Sequence, residues 1–241
     1  MNGRVTVVTG GSRGLGAATC RRLAAASHEF VLGHQAASEA AEPTAEAVRA
    51  NGSRCVTVQM DTSAEEDVDR MFDVAAELGQ VTGLVNNAAV TGPVSRLVDV
   101  PADELLRVFE VDVVGYLLCA RRAAHDMAGH GGAIVNVSSA AATLGSPGEY
   151  VHYAAAKAAV DALTIGLAKE LAADRIRVTL SLQGSYGPTS TPTLNVPRRL
   201  ASRIPLGRAG EPDEIAGAIC WLLGPDASYT TGAILRIAGG L

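Results

Sequence analysis

Short apolar, β-branched runs alternate along this chain with longer segments of helical period. The runs Val5–Thr9, Phe30–Gly33, Cys55–Met60, Gly83–Asn87, Ala133–Ser138, Arg177–Leu182 and Ile234–Ile237 predict seven strands. Between them, helices are predicted near Leu15–Ala26, Ala40–Ala50, Glu65–Leu78, Asp103–Met127, Tyr153–Ala173 and Asp213–Leu223. The strand runs are continuously apolar rather than alternating, as a parallel sheet covered on both faces requires. Strand–helix alternation of this kind builds βαβ units with right-handed crossovers.

The expected fold is therefore α/β: a single Rossmann-like, doubly wound parallel sheet of about seven strands with helices on both faces. One domain over residues 1–241 accommodates it, with no linker and no internal repeat. Residues 183–204, rich in Gly, Pro, Ser and Thr, break the pattern just after the sixth strand. A long loop at the carboxyl end of a strand is placed to cover a ligand in an open α/β sheet.

Composition narrows the function. Twenty-five acidic residues stand against 20 basic ones, and no basic run occurs, which argues against nucleic acid. Cys20, Cys55, Cys119 and Cys220 are dispersed, as are the five histidines, so neither a disulfide framework nor a metal site is expected. No apolar run reaches the ~18 residues of a membrane span, and no leader pattern precedes Val5. The expectation is a cytoplasmic protein that acts on a small molecule.

Thr9-Gly10-Gly11-Ser12-Arg13-Gly14-Leu15-Gly16 joins the first strand to the first helix. Glycines there allow a tight turn and a close approach to phosphate, and the helix start offers free N–H groups. The spacing is GxxxGxG, which differs from the GxGxxG dinucleotide fingerprint. The second strand ends in Gly33-His34-Gln35, without the carboxylate that usually meets the ribose hydroxyls of NAD. Arg13 offers a guanidinium fork to a 2′-phosphate. Together these features favour NADP over NAD.

Tyr153 and Lys157 are four residues apart on a predicted helix and so share one face. A nearby ammonium favours the phenolate, which suits Tyr153 to proton transfer with an alcohol or a carbonyl oxygen. Upstream, the fifth strand ends in Ser138-Ser139, and either hydroxyl could hold a substrate oxygen. No GxSxG hydrolase elbow is present.

TGGSRGLG at the start, NNAA after the fourth strand, NVSS on the fifth, YAAAK on the following helix and the late PLGRAGEPDEIA resemble, in that order, a classical short-chain dehydrogenase/reductase. The resemblance spans nearly the whole chain. It is strongest to bacterial sugar-dehydrogenase-like and 3-oxoacyl-reductase-like members. It implies that Gly10, Ser12, Arg13, Leu15 and Gly16 hold the cofactor phosphates. Asp61 and Thr62 would face the adenine, and Asn87 and Ala88 would line its ribose. His34, Gly184 and Tyr186 complete the cofactor set. Tyr153 would be the acid/base, Lys157 would bind the nicotinamide ribose and lower the Tyr153 pKa, and Ser139 would orient substrate.

Asp112 stands where the family has a helix asparagine, in FEVDVVG. Ala89 replaces the glycine of NNAG, and Gln183-Gly184 replaces Pro-Gly. The resemblance implies an NADP(H)-linked carbonyl reductase or alcohol dehydrogenase working as a homodimer or homotetramer, with NAD as the second cofactor choice. The alternative is a dinucleotide-binding protein of the same fold with weak or no catalysis.

Overall fold

The computed structural model describes residues 3–24, 28–35, 38–184 and 204–241. Its seven strands are β1 (Gly3–Val8), β2 (Glu29–His34), β3 (Cys55–Gln59), β4 (Gly79–Asn86), β5 (Gly132–Ser139), β6 (Ile176–Gln183) and β7 (Ile234–Ile237). All pair in parallel, in the order β3-β2-β1-β4-β5-β6-β7. The order reverses at β1, between β2 and β4. That opens a crevice above the carboxyl ends, where ligands bind in such sheets.

Eight helices connect the described strands: α1 (Gly14–Ala24), α2 (Glu42–Ala50), α3 (Glu65–Leu78), α4 (Ala102–Phe109), α5 (Gly115–Met127), α6 (Ala141–Leu144), α7 (Val151–Glu170) and α8 (Pro212–Leu223). One layer is built from α3, α5 and α7. Met71, Phe72, Cys119 and Ala168 pack there on Val5, Val7, Ile134 and Val178. The other layer is α1, α2 and α8, where Leu23, Val48 and Ile219 cover Val8, Leu32 and Val137. Strand neighbours thus send alternate side chains to opposite cores, which explains the unbroken apolar runs.

Boundaries differ from the sequence expectation in instructive places. β4 begins at Gly79 rather than Gly83, because Gly3, Arg4 and Val5 pair with Gly79, Gln80 and Val81 through their backbones. The stretch before α2 is a short 3-10 turn over Ser38–Ala40, and α2 itself starts at Glu42. The single helix expected over Asp103–Met127 is divided. Glu110–Val114, between α4 and α5, is a π-helical turn. Such turns carry i→i+5 hydrogen bonds and favour functional sites. Tyr186 and most of the 183–204 loop lie outside the described residues.

Candidate active site

The β1–α1 turn is shaped by glycine. Gly10 and Gly14 adopt φ of +63° and +53°, the left-handed region that side chains resist. At Gly16 a Cβ would lie 2.4 Å from the Gly10 carbonyl oxygen and 2.8 Å from Asn87 Nδ2, so any larger residue would push the turn apart. Asn87 braces this turn by donating from Nδ2 to the Thr9 and Gly10 carbonyls, each at 3.0 Å. The N–H groups of Asn87 and Ala88 both donate to Thr9 Oγ1. The structure therefore joins NNAA to TGGSRGLG in one network. Ser12 accepts from Thr44 Oγ1 through its carbonyl. Arg13 is exposed, whereas Leu15 is buried in the α1 core.

The next crests hold His34, Asp61 and Thr62. His34 closes β2 and is buried. Asp61 Oδ1 accepts from the Ser63 N–H at 2.9 Å and from Ser63 Oγ at 2.6 Å, while Oδ2 accepts from Arg107 Nη2 at 2.7 Å. Burial alone would raise this carboxyl, but the Ser63 and Arg107 contacts outweigh it and hold Asp61 below the usual carboxylate range. Sequence reasoning missed Arg107, since an arginine on an amphipathic helix carries no signal of a partner 46 residues away. Thr62 is buried against Gly115, where a Cβ would lie 2.7 Å from Thr62 Oγ1. An open cavity of about 690 Å³ is lined by Gln35, Gln59, Asp61, Asp67 and Arg70. It sits at the β3 edge of the sheet, four strand places from β5, and is separate from the Tyr153 centre.

Above β5 and β6, α7 presents Tyr153 and Lys157 one turn apart, both buried. The two serines divide. Ser138 is fully buried, donates to Asp161 Oδ1 at 2.6 Å and to the Lys157 carbonyl at 3.3 Å, and so fastens α7 to β5. Ser139 lies in polar contact with the Tyr153 phenol.

Lys157 Nζ faces three acceptors: Tyr116 Oη at 3.2 Å, the Val137 carbonyl at 3.3 Å and Asp112 Oδ2 at 3.2 Å. An ammonium has three donors, and here each has a neighbour. The Oδ2 contact is an ion pair without good hydrogen-bond alignment. Asp112 is fully buried, and its Oδ1 accepts from the Val90 N–H at 2.8 Å. The π-helical turn sets Asp112 facing α7 and the loop after β4 at once. Asp112 therefore does not face solvent. Tyr116, a second residue that sequence reasoning missed, also donates to the Val137 carbonyl at 2.9 Å. Ala89, the replacement for glycine, is exposed.

Lys157 draws the Tyr153 pKa down, the direction the resemblance implies, but burial pushes it up by more, and Asp112 adds an upward push that cancels part of the lysine's pull. Burial also raises Asp112 itself, against the pull of Lys157.

The family model described as enoyl-(acyl carrier protein) reductase matches residues 10–241. A short-chain dehydrogenase/reductase from Serratia marcescens, solved as a double mutant, superposes with a TM-score of 0.93 at 32% identity over 99% of this chain and 98% of that one. The chain belongs to the short-chain dehydrogenase/reductase family. Among the relatives of this short-chain dehydrogenase/reductase is the uncharacterised oxidoreductase YgfF of Escherichia coli (strain K12). It is 40% identical over 98% of this chain and 99% of its own. A blue fluorescent protein from a metagenomic library, solved in complex with NADPH, gives a TM-score of 0.92 at 33% identity, covering 99% of this chain and 98% of that one. An NAD⁺-bound xylitol dehydrogenase gives 0.91 at 32% identity, covering 99% of each. This short-chain dehydrogenase/reductase is thus an oxidoreductase by family. Among its described residues, no helix is long and apolar enough to cross a membrane and no cluster of acidic, His and Cys side chains could hold a metal.

Proposed function

We propose that this protein transfers a hydride between NADP(H) and the carbonyl or secondary-alcohol carbon of a small molecule, with Tyr153 as acid/base, Ser139 orienting the reacting oxygen and Lys157 supporting the phenolate. The single observation that carries this reading is the buried Tyr153, in polar contact with Ser139 and one helical turn from the Lys157 ammonium. The β1–α1 turn suits a dinucleotide, because Gly10 and Gly14 in the left-handed region carry the backbone tightly into the N-terminus of α1, whose free N–H groups favour phosphate. Gly10, Ser12, Arg13, Leu15 and Gly16 would hold its phosphates. Asp61 and Thr62 would hold its adenine, with His34 beside them. Asn87 and Ala88 would line its ribose, Lys157 would bind the nicotinamide ribose, and Gly184 would close the nicotinamide end, with Tyr186 assigned by sequence alone. When bound, the nicotinamide supplies or accepts the hydride.

In reduction, the Tyr153 phenol donates its proton to the nascent alkoxide. In oxidation, the phenolate takes the alcohol proton. Ser139 holds the oxygen at the carboxyl edge of β5, and Lys157 stabilises the phenolate electrostatically. Burial keeps water from competing and raises the energetic weight of the lysine's charge. We place the protein in one domain, in the cytoplasm, as a homodimer or homotetramer. The test of the function is NADPH oxidation over a panel of ketones, quinones and oxo-esters beside cofactor titration. Tight cofactor binding with no turnover on any of them would favour a binding protein of the same fold.

The cofactor preference rests on the exposed Arg13 beside a second strand that ends without a carboxylate. Arg13→Ala should weaken NADPH binding by about tenfold while changing NADH binding little, since a charge-assisted bond contributes about 1.5–3 kcal/mol. Equal losses for both, or a wild-type preference for NADH, would sink the NADP assignment.

Asp112 gives the reading a pH signature. Its carboxylate opposes the Tyr153 phenolate. Asp112→Asn removes that negative charge, so the Tyr153 pKa should fall, and the alkaline-rising limb of alcohol oxidation should move to lower pH. NADPH affinity should change little. Rate–pH profiles that superimpose for the two forms would leave Asp112 without an electrostatic part in the chemistry.

A further inference from the structure

β6 carries three buried side-chain oxygens without partners among the described residues: Thr179 Oγ1, Ser181 Oγ and Gln183 Oε1. They occupy alternate positions and so point to one face of the sheet. The opposite face of β6 presents Leu180 and Leu182, which pack with Tyr116 and Val160. The polar row therefore faces the α1 and α8 layer. There Val135 and Val137, the register partners of Thr179 and Ser181, pack with Ile215 and Ile219. Thr179 and Ser181 are closed within that layer. Gln183 is different, because it is the last residue of β6 and stands at the carboxyl edge.

The Gln183 backbone is fixed from both sides. It is in register with Ser139 on β5 and with Ile237 on β7. Its carbonyl accepts from the Ala140 N–H at 2.8 Å, and the following Gly184 N–H donates to the Ile237 carbonyl at 3.2 Å. The side chain thus starts from a set point one strand from Ser139. The residue is half-buried, yet its Oε1 is sealed from solvent and has no donor among the described residues. A buried amide oxygen in that state costs about 1–3 kcal/mol, and a donor brought by a ligand removes the cost. An amide oxygen only accepts, so the ligand must offer an N–H or O–H.

We infer that Gln183 is a cofactor-binding residue whose Oε1 accepts an N–H from the carboxamide of the nicotinamide ring. The assignment rests on the nicotinamide-linked reading above. It gives a role to a position where this chain departs from the Pro-Gly of the family pattern, at the crest shared with Ser139.

The test is a fluorescence titration without substrate, which reads binding and not turnover. Wild type and Gln183→Leu are titrated with NADPH and with its reduced 3-acetylpyridine analogue, in which a methyl replaces the amide nitrogen. If NADH binds more tightly, the matching NADH pair is used. The loss caused by Gln183→Leu on the natural cofactor should exceed its loss on the analogue by about tenfold. Gln183→Glu, which keeps an acceptor, should retain more affinity for the natural cofactor than Gln183→Leu, and thermal melting checks that both variants fold. Equal losses on cofactor and analogue, or no loss on either, would overturn the role of Gln183 alone. Failure of the wild type to bind either natural cofactor would overturn the cofactor reading and this inference together.

Discussion

Tyr153→Phe should abolish turnover, by about 10²–10⁴ in kcat, while leaving cofactor binding within a few-fold of wild type. The substitution deletes one oxygen from a side chain that is 8% exposed and packed among Val108, Ala154 and Ala156. The ring and its contacts stay, so the loss isolates the titrating group. The polar partner left behind is Ser139, which keeps its bond from the Ala141 N–H at 3.2 Å and is not stranded. Steady-state rates with a ketone from the panel, set beside an NADPH titration, check this. A Phe variant at near-normal rate would remove Tyr153 from the mechanism, and one that no longer binds cofactor would show that the hydroxyl is structural.

Lys157→Met should harm the protein in two ways. Catalysis loses the charge that supports the phenolate. Stability loses the counter-ion of Asp112, a carboxylate with no exposure to water. Removing one partner of a buried ion pair typically costs about 3–5 kcal/mol, because the other charge stays behind uncompensated. Asp112 escapes part of that cost by taking up a proton. Its folded-state pKa is already raised by burial, and removing Lys157 raises it further. The sign follows from linkage. A carboxyl raised in the folded state binds protons more tightly there, so the stability deficit is small at acid pH and grows as pH climbs above the unfolded value of about 4. Adding Asp112→Asn to Lys157→Met should restore most of the stability and none of the activity. Urea melts of wild type, single and double variants at two pH values measure this. A single variant as stable as the double at pH 8 would mean that the pair contributes no net stabilisation.

Most of the fold was legible because a parallel sheet buried on both faces writes its strands as apolar runs. Where it was not legible, backbone pairing acted without side-chain help, as at Gly79–Thr82. The polar network was legible in composition but not in connection. TGGSRGLG and NNAA were each visible, yet that Asn87 holds the phosphate turn closed depends on a contact 77 residues apart. The residues alone left Ser138 and Ser139 open, and the resemblance pointed to Ser139. The structure supplies the physical difference, since Ser138 is committed to Asp161 and the α7 backbone. Asp112 was visible as a departure, but its bond from the Val90 N–H gave no signal in the sequence. Arg107 and Tyr116 gave no signal at all, because each acts through a partner on another element.

The π-helical turn over Glu110–Val114 also bears on how this lineage can change. Such a turn holds one residue more than the α-helix around it. Each residue of an α-helix advances the chain by about 100° around its axis. Deleting one residue between Val111 and Gly115 would therefore heal the backbone into an unbroken helix. Because the wide turn absorbs the extra residue, the helices on either side would keep their phase and their cores. What would change is local: the Asp112 carboxylate, which now faces both the Val90 N–H and Lys157, would move with the healed backbone. This short segment is thus a place where an insertion or deletion could separate folding from catalysis in a single evolutionary step.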